Sequence, residues 1–371
     1  MFENYTVPSD LIPSDPRFGV GPSLIKEEFF EDLAKTSKNF IGMSHRQPKI
    51  RNLCKNIQDG LKKYFNLPDG YEVIMGNGGA TFLFDMIGLG LVKNKSYHYV
   101  TGEFSSKWFA SHKNIPWIYA DRKEVEYGEG INPEAISGYD MICCTLNETS
   151  TGVILTELPT VDENCLLAVD ATSGAGQIKV DFSKVDLYFF SPQKVFAGEG
   201  GFYLAIMSPK ALARAKDLYQ RTNYRPQTMR WDYAIDNSLK NQTYNTPSLS
   251  SLYLLSRQID LMNELGEDEV IKQAKEKLQL ITKWVDSKKY LNFFVKEEKF
   301  RSHSVATIDV DKKYSVEDLC KRLRELNVVS DIEAYRKLGR NQFRISLFHN
   351  ISLEDLEKLT KIISHAFETV N

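Results

Sequence analysis

Lys194 stands in Ser191-Pro192-Gln193-Lys194, directly after the apolar run Val185-Asp186-Leu187-Tyr188-Phe189-Phe190, which reads as a buried strand. Gly198, Gly200 and Gly201 follow and suit a tight backbone path, so the lysine sits on a turn. A lysine delivered to a turn from a buried strand loses hydration, which favours the neutral amine that reacts with a carbonyl. An ordinary surface lysine after a strand is the plainer reading. A second apolar run, Cys165-Leu166-Leu167-Ala168-Val169-Asp170, ends in a carboxylate. Ligands of open α/β sheets collect at the carboxyl ends of strands, so Asp170 and Lys194 are expected to face one cleft. An acid that keeps a pyridine nitrogen protonated and an amine that holds an aldehyde carbon are the two groups a pyridoxal phosphate site requires. Taken alone, Asp170 serves equally well as a strand-end turn or a helix cap.

Other stretches offer anion or ring recognition. Gly76-Asn77-Gly78-Gly79-Ala80-Thr81 follows a strand and opens a helix, where backbone amides and the helix dipole favour a phosphate, or where glycines simply make a turn. His45 beside Arg46 lies in a polar loop and could bind an anion through imidazole and guanidinium, or be solvated. Phe104, just past a strand, is better placed than Trp108 to lie over a flat ring, although core packing suits either. The cluster Asn147-Glu148-Thr149-Ser150-Thr151-Gly152 could donate to a phenolic oxygen or cap a turn. Asn245 and Thr246 precede a long helix, as anion holders or as plain capping residues. Arg344, inside the apolar strand Phe343-Arg344-Ile345-Ser346-Leu347, must reach a partner or solvent, and a substrate carboxylate suits its fork. Arg336, Lys337 and Arg340 make a basic loop just before it.

These groups need a scaffold, and 371 residues with 42% hydrophobic composition supply a sizeable core and suggest two domains. A formal net charge of −2 gives no broad attraction to nucleic acid or to an anionic membrane. The five cysteines show no metal-ligand spacing, and three fall in apolar runs, which fits a reducing cytoplasm and no bound metal. No export signal and no run of membrane-spanning length is seen. Strand, polar turn and helix recur from Tyr71 to Met207, which predicts a mostly parallel sheet covered on both faces, with Gly201 to Met207 as a returning, antiparallel strand. The helices expected around this sheet include Pro48 to Phe65 and Phe82 to Leu91, with Ser23 as the capping candidate of an earlier one. Residues from Met1 to about Gly21 read as an arm crossing the surface, because Pro8, Pro13 and Pro16 oppose regular structure. Beyond about Gln273 a smaller α+β unit is expected, with strands at Ser304 to Val310, Val328 to Ile332 and Gln342 to Phe348, and helices at Ser315 to Leu326 and Ser352 to Phe367. The expected division is an arm over 1–22, a large α/β domain over 23–265 and a small domain over 266–371.

In their joint order and spacing, Phe18 to Pro22, Ser44-His45-Arg46, Gly78 to Thr81, Asn147-Glu148-Thr149, Asp170, Gln193-Lys194, Asn245-Thr246-Pro247 and Arg344 resemble the phosphoserine aminotransferase family, of the class V branch of fold-type I pyridoxal phosphate enzymes. The likeness spans nearly the whole chain. It implies a large domain with a mostly parallel seven-stranded sheet between helices, plus a smaller α+β C-terminal domain. It implies Lys194 as the Schiff-base lysine, Asp170 as partner of the pyridine nitrogen, Phe104 as the ring-stacking aromatic and Thr149 as partner of the phenolic oxygen. Gly79, Ala80 and Gln193 match the phosphate cradle, and Asn245 with Thr246 matches the part a neighbouring subunit contributes to it. Arg344 is similar to the arginine that grips the α-carboxylate. His45 and Arg46 match the pair, again from the other subunit, that recognises the substrate phosphate. The resemblance thus implies a homodimer with shared active sites and a ping-pong exchange between phosphoserine or 3-phosphooxypyruvate and 2-oxoglutarate or glutamate, in serine biosynthesis. Tyr335-Arg336-Lys337-Leu338-Gly339-Arg340 departs from the His-Arg pair of many relatives and, with Glu103-Phe104-Ser105-Ser106-Lys107, looks like the divergent branch of actinobacterial members. Either Arg336 or Arg340 is then the second phosphate ligand. The rival readings are another class V activity, such as alanine–glyoxylate transamination or desulfuration, and a catalytically silent binding protein of the same fold.

Overall fold

The computed structural model describes residues 1–219 and 225–370. Its large sheet comprises β1 (Glu72–Asn77), β2 (Lys95–Val100), β3 (Tyr119–Glu124), β4 (Met141–Thr145), β7 (Leu166–Asp170), β8 (Leu187–Phe190) and β9 (Phe202–Met207), while β5 (Asn147–Glu148) and β6 (Val153–Ile154) form a short ribbon beside it. The strand order is β1-β9-β8-β7-β4-β2-β3. All neighbours are parallel except β9, which runs against both β1 and β8, as a returning strand should. Successive residues of each inner strand enter opposite cores: Tyr188 and Phe190 face one cluster, Leu187 and Phe189 the other. That two-residue alternation within an unbroken apolar run is what a sheet covered on both faces requires, each fully buried large side chain contributing roughly 1.5–3 kcal/mol.

One face is covered by α2 (Pro48–Tyr64) and α7 (Leu249–Leu265), the other by α3 (Ala80–Leu91), α4 (Glu103–Lys113), α5 (Pro209–Tyr219) and α6 (Trp231–Ser238). The edge strand β3 escaped the sequence reading. It is Tyr119-Ala120-Asp121-Arg122-Lys123-Glu124, largely exposed and charged, as a protected sheet edge tends to be. Among the described residues no helix is long and apolar enough to cross a membrane.

The smaller sheet joins β10 (Leu291–Phe293), β11 (Val305–Val310) and β12 (Gln342–Ser346) in antiparallel fashion. It packs with α8 (Glu267–Asp286), α9 (Val316–Glu325) and α10 (Leu353–Thr369) through Ile281, Trp284, Leu319, Leu323, Ile363 and Phe367. Val328 to Ile332 does not form the expected strand. Asn327 and Asp331 take left-handed backbone angles, φ 54° and 59°, and only Ser330 bridges, to Arg17. The initial arm has most of its residues exposed but is pinned by buried aromatic side chains. Phe2, Tyr5 and Phe18 are buried in the small-domain core, and Ser14 donates to the Asp355 carboxylate from both backbone and hydroxyl at 2.6 Å. Aromatic residues spaced among the prolines drive this burial. Ser23 is not a helix cap: α1 (Glu27–Thr36) starts four residues later, and the Ser23 amide instead donates to the Gln193 carbonyl at 2.9 Å.

Candidate active site

Sheet topology alone brings the candidate groups to one edge. β7 and β8 are adjacent and parallel, so Asp170, the last residue of β7, lies beside the turn that carries Lys194. β1 runs in the same direction as β8, since both oppose β9, and its end opens into α3. β2 delivers α4, and β4 delivers the Asn147–Thr149 turn, at that same edge. A cavity of about 240 Å³ results, lined among others by Gly79, Ala80, Phe104, Thr149, Asp170, Gln193 and Lys194. Seven residues singled out from sequence thus share one cavity.

Asp170 is 3% exposed. Its Oδ1 accepts from the Thr172 amide at 2.9 Å and the Thr172 hydroxyl at 2.6 Å, and Oδ2 takes neither bond. Burial pushes the carboxyl up to about 6, with Thr172 opposing the shift. Burial likewise lowers the Lys194 amine to about 8, helped by the positive charge of Arg344 and opposed by Asp170. Lys194 Nζ donates to the Val20 carbonyl at 2.6 Å. Gly21, at φ +132°, must be glycine here: a β-carbon would lie 2.0 Å from Nζ.

The first turn of α3 has no side-chain cap, and Gly79 enters it at φ +144°, leaving amide donors turned toward the cavity end. The Ala80 amide is held by Ser191 Oγ at 2.6 Å. Gln193 Oε1 is buried without a partner. Thr149 Oγ1 donates to Ser173 Oγ at 2.7 Å, and Asn147 Nδ2 reaches the same hydroxyl at 2.8 Å. A glycine-led helix start and a buried acid with one open oxygen suit the phosphate and ring of pyridoxal phosphate, which those residues would hold, Gln193 through its amide N–H.

Glu148 is the functional residue the sequence reading passed over. It is fully buried, and its carboxylate accepts from the Phe104 and Ser105 amides, the Ser105 hydroxyl, and the Ser150 amide and hydroxyl, at 2.6–3.2 Å. It therefore fixes the start of α4, with Phe104, to the turn that carries Thr149. The signal was present in the sequence as an acid between polar residues, but its partners on α4 lie over forty positions away. Farther down α4, Trp108 packs on Phe84, as core rather than ring cover. Trp108 Nε1 donates to His112 Nε2 at 3.1 Å, and His112 Nδ1 lies 3.1 Å from His98 Nε2. Cys143 completes a buried group of metal-ligand types within 4.8 Å, but these imidazole nitrogens already serve one another and Trp108. Burial lowers His112 to about 3 and His98 well below the usual range, so both rings are neutral tethers of α4 to β2.

A second cavity, about 560 Å³, is lined by Gly19, Gly21, Arg336 and Arg344. Arg344 donates to the Thr149 carbonyl at 3.4 Å, its Nε has no partner, and burial lowers it to about 10. Arg336 is exposed, and among the described residues no ion pair engages it. Arg340 is different: it grips Asp309 through two bonds, 3.0 and 2.6 Å, and does not line this cavity. Four further predicted residues lie outside both cavities of this chain. Asn245 and Thr246 are exposed, with the Thr246 carbonyl accepting from Asn77 at 2.8 Å; Arg46 is exposed, and His45 is half-buried with Nε2 unpartnered. Burial and Arg46 lower the His45 imidazole.

Residues 24–359 match the model of the family described as Aminotransferase class-V. The chain is 42% identical over 361 residues, 96% of each chain, to the phosphoserine aminotransferase of Rhodococcus jostii, an actinobacterium. Among solved structures it resembles a phosphoserine aminotransferase from Cytophaga hutchinsonii at a TM-score of 0.88 and 27% identity, covering 95% of this chain and 98% of that one. A pyridoxal phosphate-bound phosphoserine aminotransferase from Trichomonas vaginalis shares the fold, at a TM-score of 0.78 and 20% identity over 94% and 99% of the two chains.

Proposed function

The chain belongs to the class-V aminotransferases and, within them, to the phosphoserine aminotransferases; from that premise we propose that Lys194, Asp170 and Arg344 carry an amino transfer from phosphoserine to 2-oxoglutarate. The carrying observation is a single cavity that holds a buried amine, a buried acid and a glycine-led helix start. Bound pyridoxal phosphate supplies an electron sink for the pair left when the substrate loses its α-proton. Asp170, as a carboxylate, holds a proton on the ring nitrogen, and Phe104 covers the ring and excludes water. Lys194 Nζ, already inclined to be neutral, takes the proton from the substrate Cα and later returns it. Arg344 grips the α-carboxylate with its fork. Arg336 faces the distal phosphate, a reading supported by its place in the cavity beside Arg344 while Arg340 is committed to Asp309. 3-Phosphooxypyruvate leaves, 2-oxoglutarate enters the same basic pocket, and glutamate departs, in ping-pong order.

His45, Arg46, Asn245 and Thr246 complete the site of a neighbouring subunit in this reading. Their place away from this chain's cavities supports it, as does Ile41, 43% exposed close to His45. Five free, buried cysteines fit a reducing cytoplasm. The test is a coupled assay with phosphoserine, alanine and aspartate as amino donors. Phosphoserine should be preferred, and Lys194→Ala should lose steady turnover. Preference for alanine would overturn the substrate, and near-normal turnover of the variant would overturn the role of the lysine.

A further inference from the structure

Lys107 is the third residue after Phe104 on α4, so both side chains share one face of the helix. Its ammonium lies 4.9 Å from the centre of the Phe104 ring and donates to the Tyr335 hydroxyl at 3.3 Å. It is exposed, and among the described residues no ion pair engages it. The nearby acid on the same helix turn, Glu103, is taken by Lys337 at 3.1 Å and by the Tyr127 hydroxyl at 3.4 Å. On its other side Tyr335 supports Arg344, whose guanidinium carbon lies 5.3 Å from the ring centre. The Phe104 and Tyr335 rings meet edge to face at 5.9 Å. One phenol therefore joins the aromatic wall of the cofactor cavity, the arginine of the substrate cavity and a cation with no counter-ion.

We propose that Lys107 and Tyr335 form a further recognition pair that contacts the distal phosphate of the amino donor and favours it over a distal carboxylate. The ammonium keeps N–H donors beyond the one given to Tyr335, and the phenol, which accepts from Lys107, keeps its own O–H to give. Tyr335 packs on the Arg344 guanidinium and directly precedes Arg336, and both of those arginines line the substrate cavity. A phosphate monoester carries about −1.5 to −2 charge on three acceptor oxygens, whereas a carboxylate carries one charge on two, so an added cation and donor reward the phosphate more. The ammonium lies 4.9 and 5.9 Å from the centres of the Phe104 and Tyr335 rings, so less freedom is lost when the anion arrives. This inference rests on the phosphoserine reading and names residues that reading does not use.

The test measures kcat/KM for phosphoserine and for glutamate in wild type, Lys107→Met, Lys107→Arg and Tyr335→Phe, with inorganic phosphate as a competitive inhibitor. Lys107→Met should lower the phosphoserine-to-glutamate ratio by about tenfold or more, in line with losing a charge-assisted hydrogen bond, and should weaken phosphate inhibition similarly. Lys107→Arg should restore most of the ratio, and Tyr335→Phe should shift it in the same direction by less. Equal losses for both substrates, or none, would overturn the pair as a specificity device. A wild-type enzyme that ignores phosphoserine would instead sink the underlying reading, so the two failures are separable. Lys107 is exposed, so its replacement leaves the core intact.

Discussion

Lys194 is set for its chemistry by two neighbours that its own sequence context does not reveal. Burial and the charge of Arg344 lower its amine to about 8, and the Val20 carbonyl, 174 positions away, accepts its hydrogen bond. Below that value the amine is mostly protonated and cannot attack an aldehyde; above it the neutral form prevails. The rate at which protein stripped of pyridoxal phosphate recaptures it, followed by stopped-flow absorbance, should therefore rise with pH and level off just above 8. A rate still climbing steeply toward 10.5, the range of an ordinary lysine, would show that the side chain is not desolvated as described. Lys194 and Asp170 were legible in the sequence because each follows an apolar strand, and strand ends of a parallel sheet share an edge. The Val20 contact and the demand for glycine at position 21 were not, because both arise from an arm that returns from the small-domain core.

At the scale of elements, the site depends on how α4 is held against the sheet. Glu148 anchors its start from the β5 turn, and the neutral pair His98 and His112 anchors its middle to β2. In Glu148→Gln one carboxylate oxygen becomes an NH2 that faces N–H donors, because both oxygens already accept two or more bonds. Loss of a buried, charge-assisted set of this kind should cost about 2–4 kcal/mol. Urea denaturation should register that cost, and the circular dichroism of the bound cofactor band should weaken as Phe104 and Thr149 lose their fixed spacing. An unaltered band in a destabilised variant would confine Glu148 to a stability role. Elements with a clear apolar pattern, such as β7, α2 and α10, were readable within a residue or two. β3 was missed because its last four residues are charged and leave no apolar alternation, and Val328 to Ile332 was misread because left-handed turns at Asn327 and Asp331 leave no trace in hydrophobicity.

The whole molecule carries the remaining question, which is why two pairs of anion-seeking residues stand away from the cavities of their own chain. A two-fold homodimer puts the same patch on both copies, so residues useless at home can complete the neighbour's site twice over. The proposed division at Gly266, where φ of +84° separates α7 from α8, leaves His45, Arg46, Asn245 and Thr246 all on the large unit. Sharing is testable by complementation. Arg46→Ala and Lys194→Ala homodimers should each be nearly inactive with phosphoserine, the first for want of phosphate binding in both sites, the second for want of the amine. Unfolded together and refolded at equal amounts, half of the dimers should be mixed, and each mixed dimer should own one site with both residues intact. Activity should then recover to about a quarter of wild type, the share of intact sites under random pairing. If Arg46 instead acted within its own chain, a mixed dimer would hold one site lacking Arg46 and one lacking Lys194, and refolding would recover nothing; that result would retire the shared site while leaving the cofactor chemistry of Lys194 and Asp170 untouched.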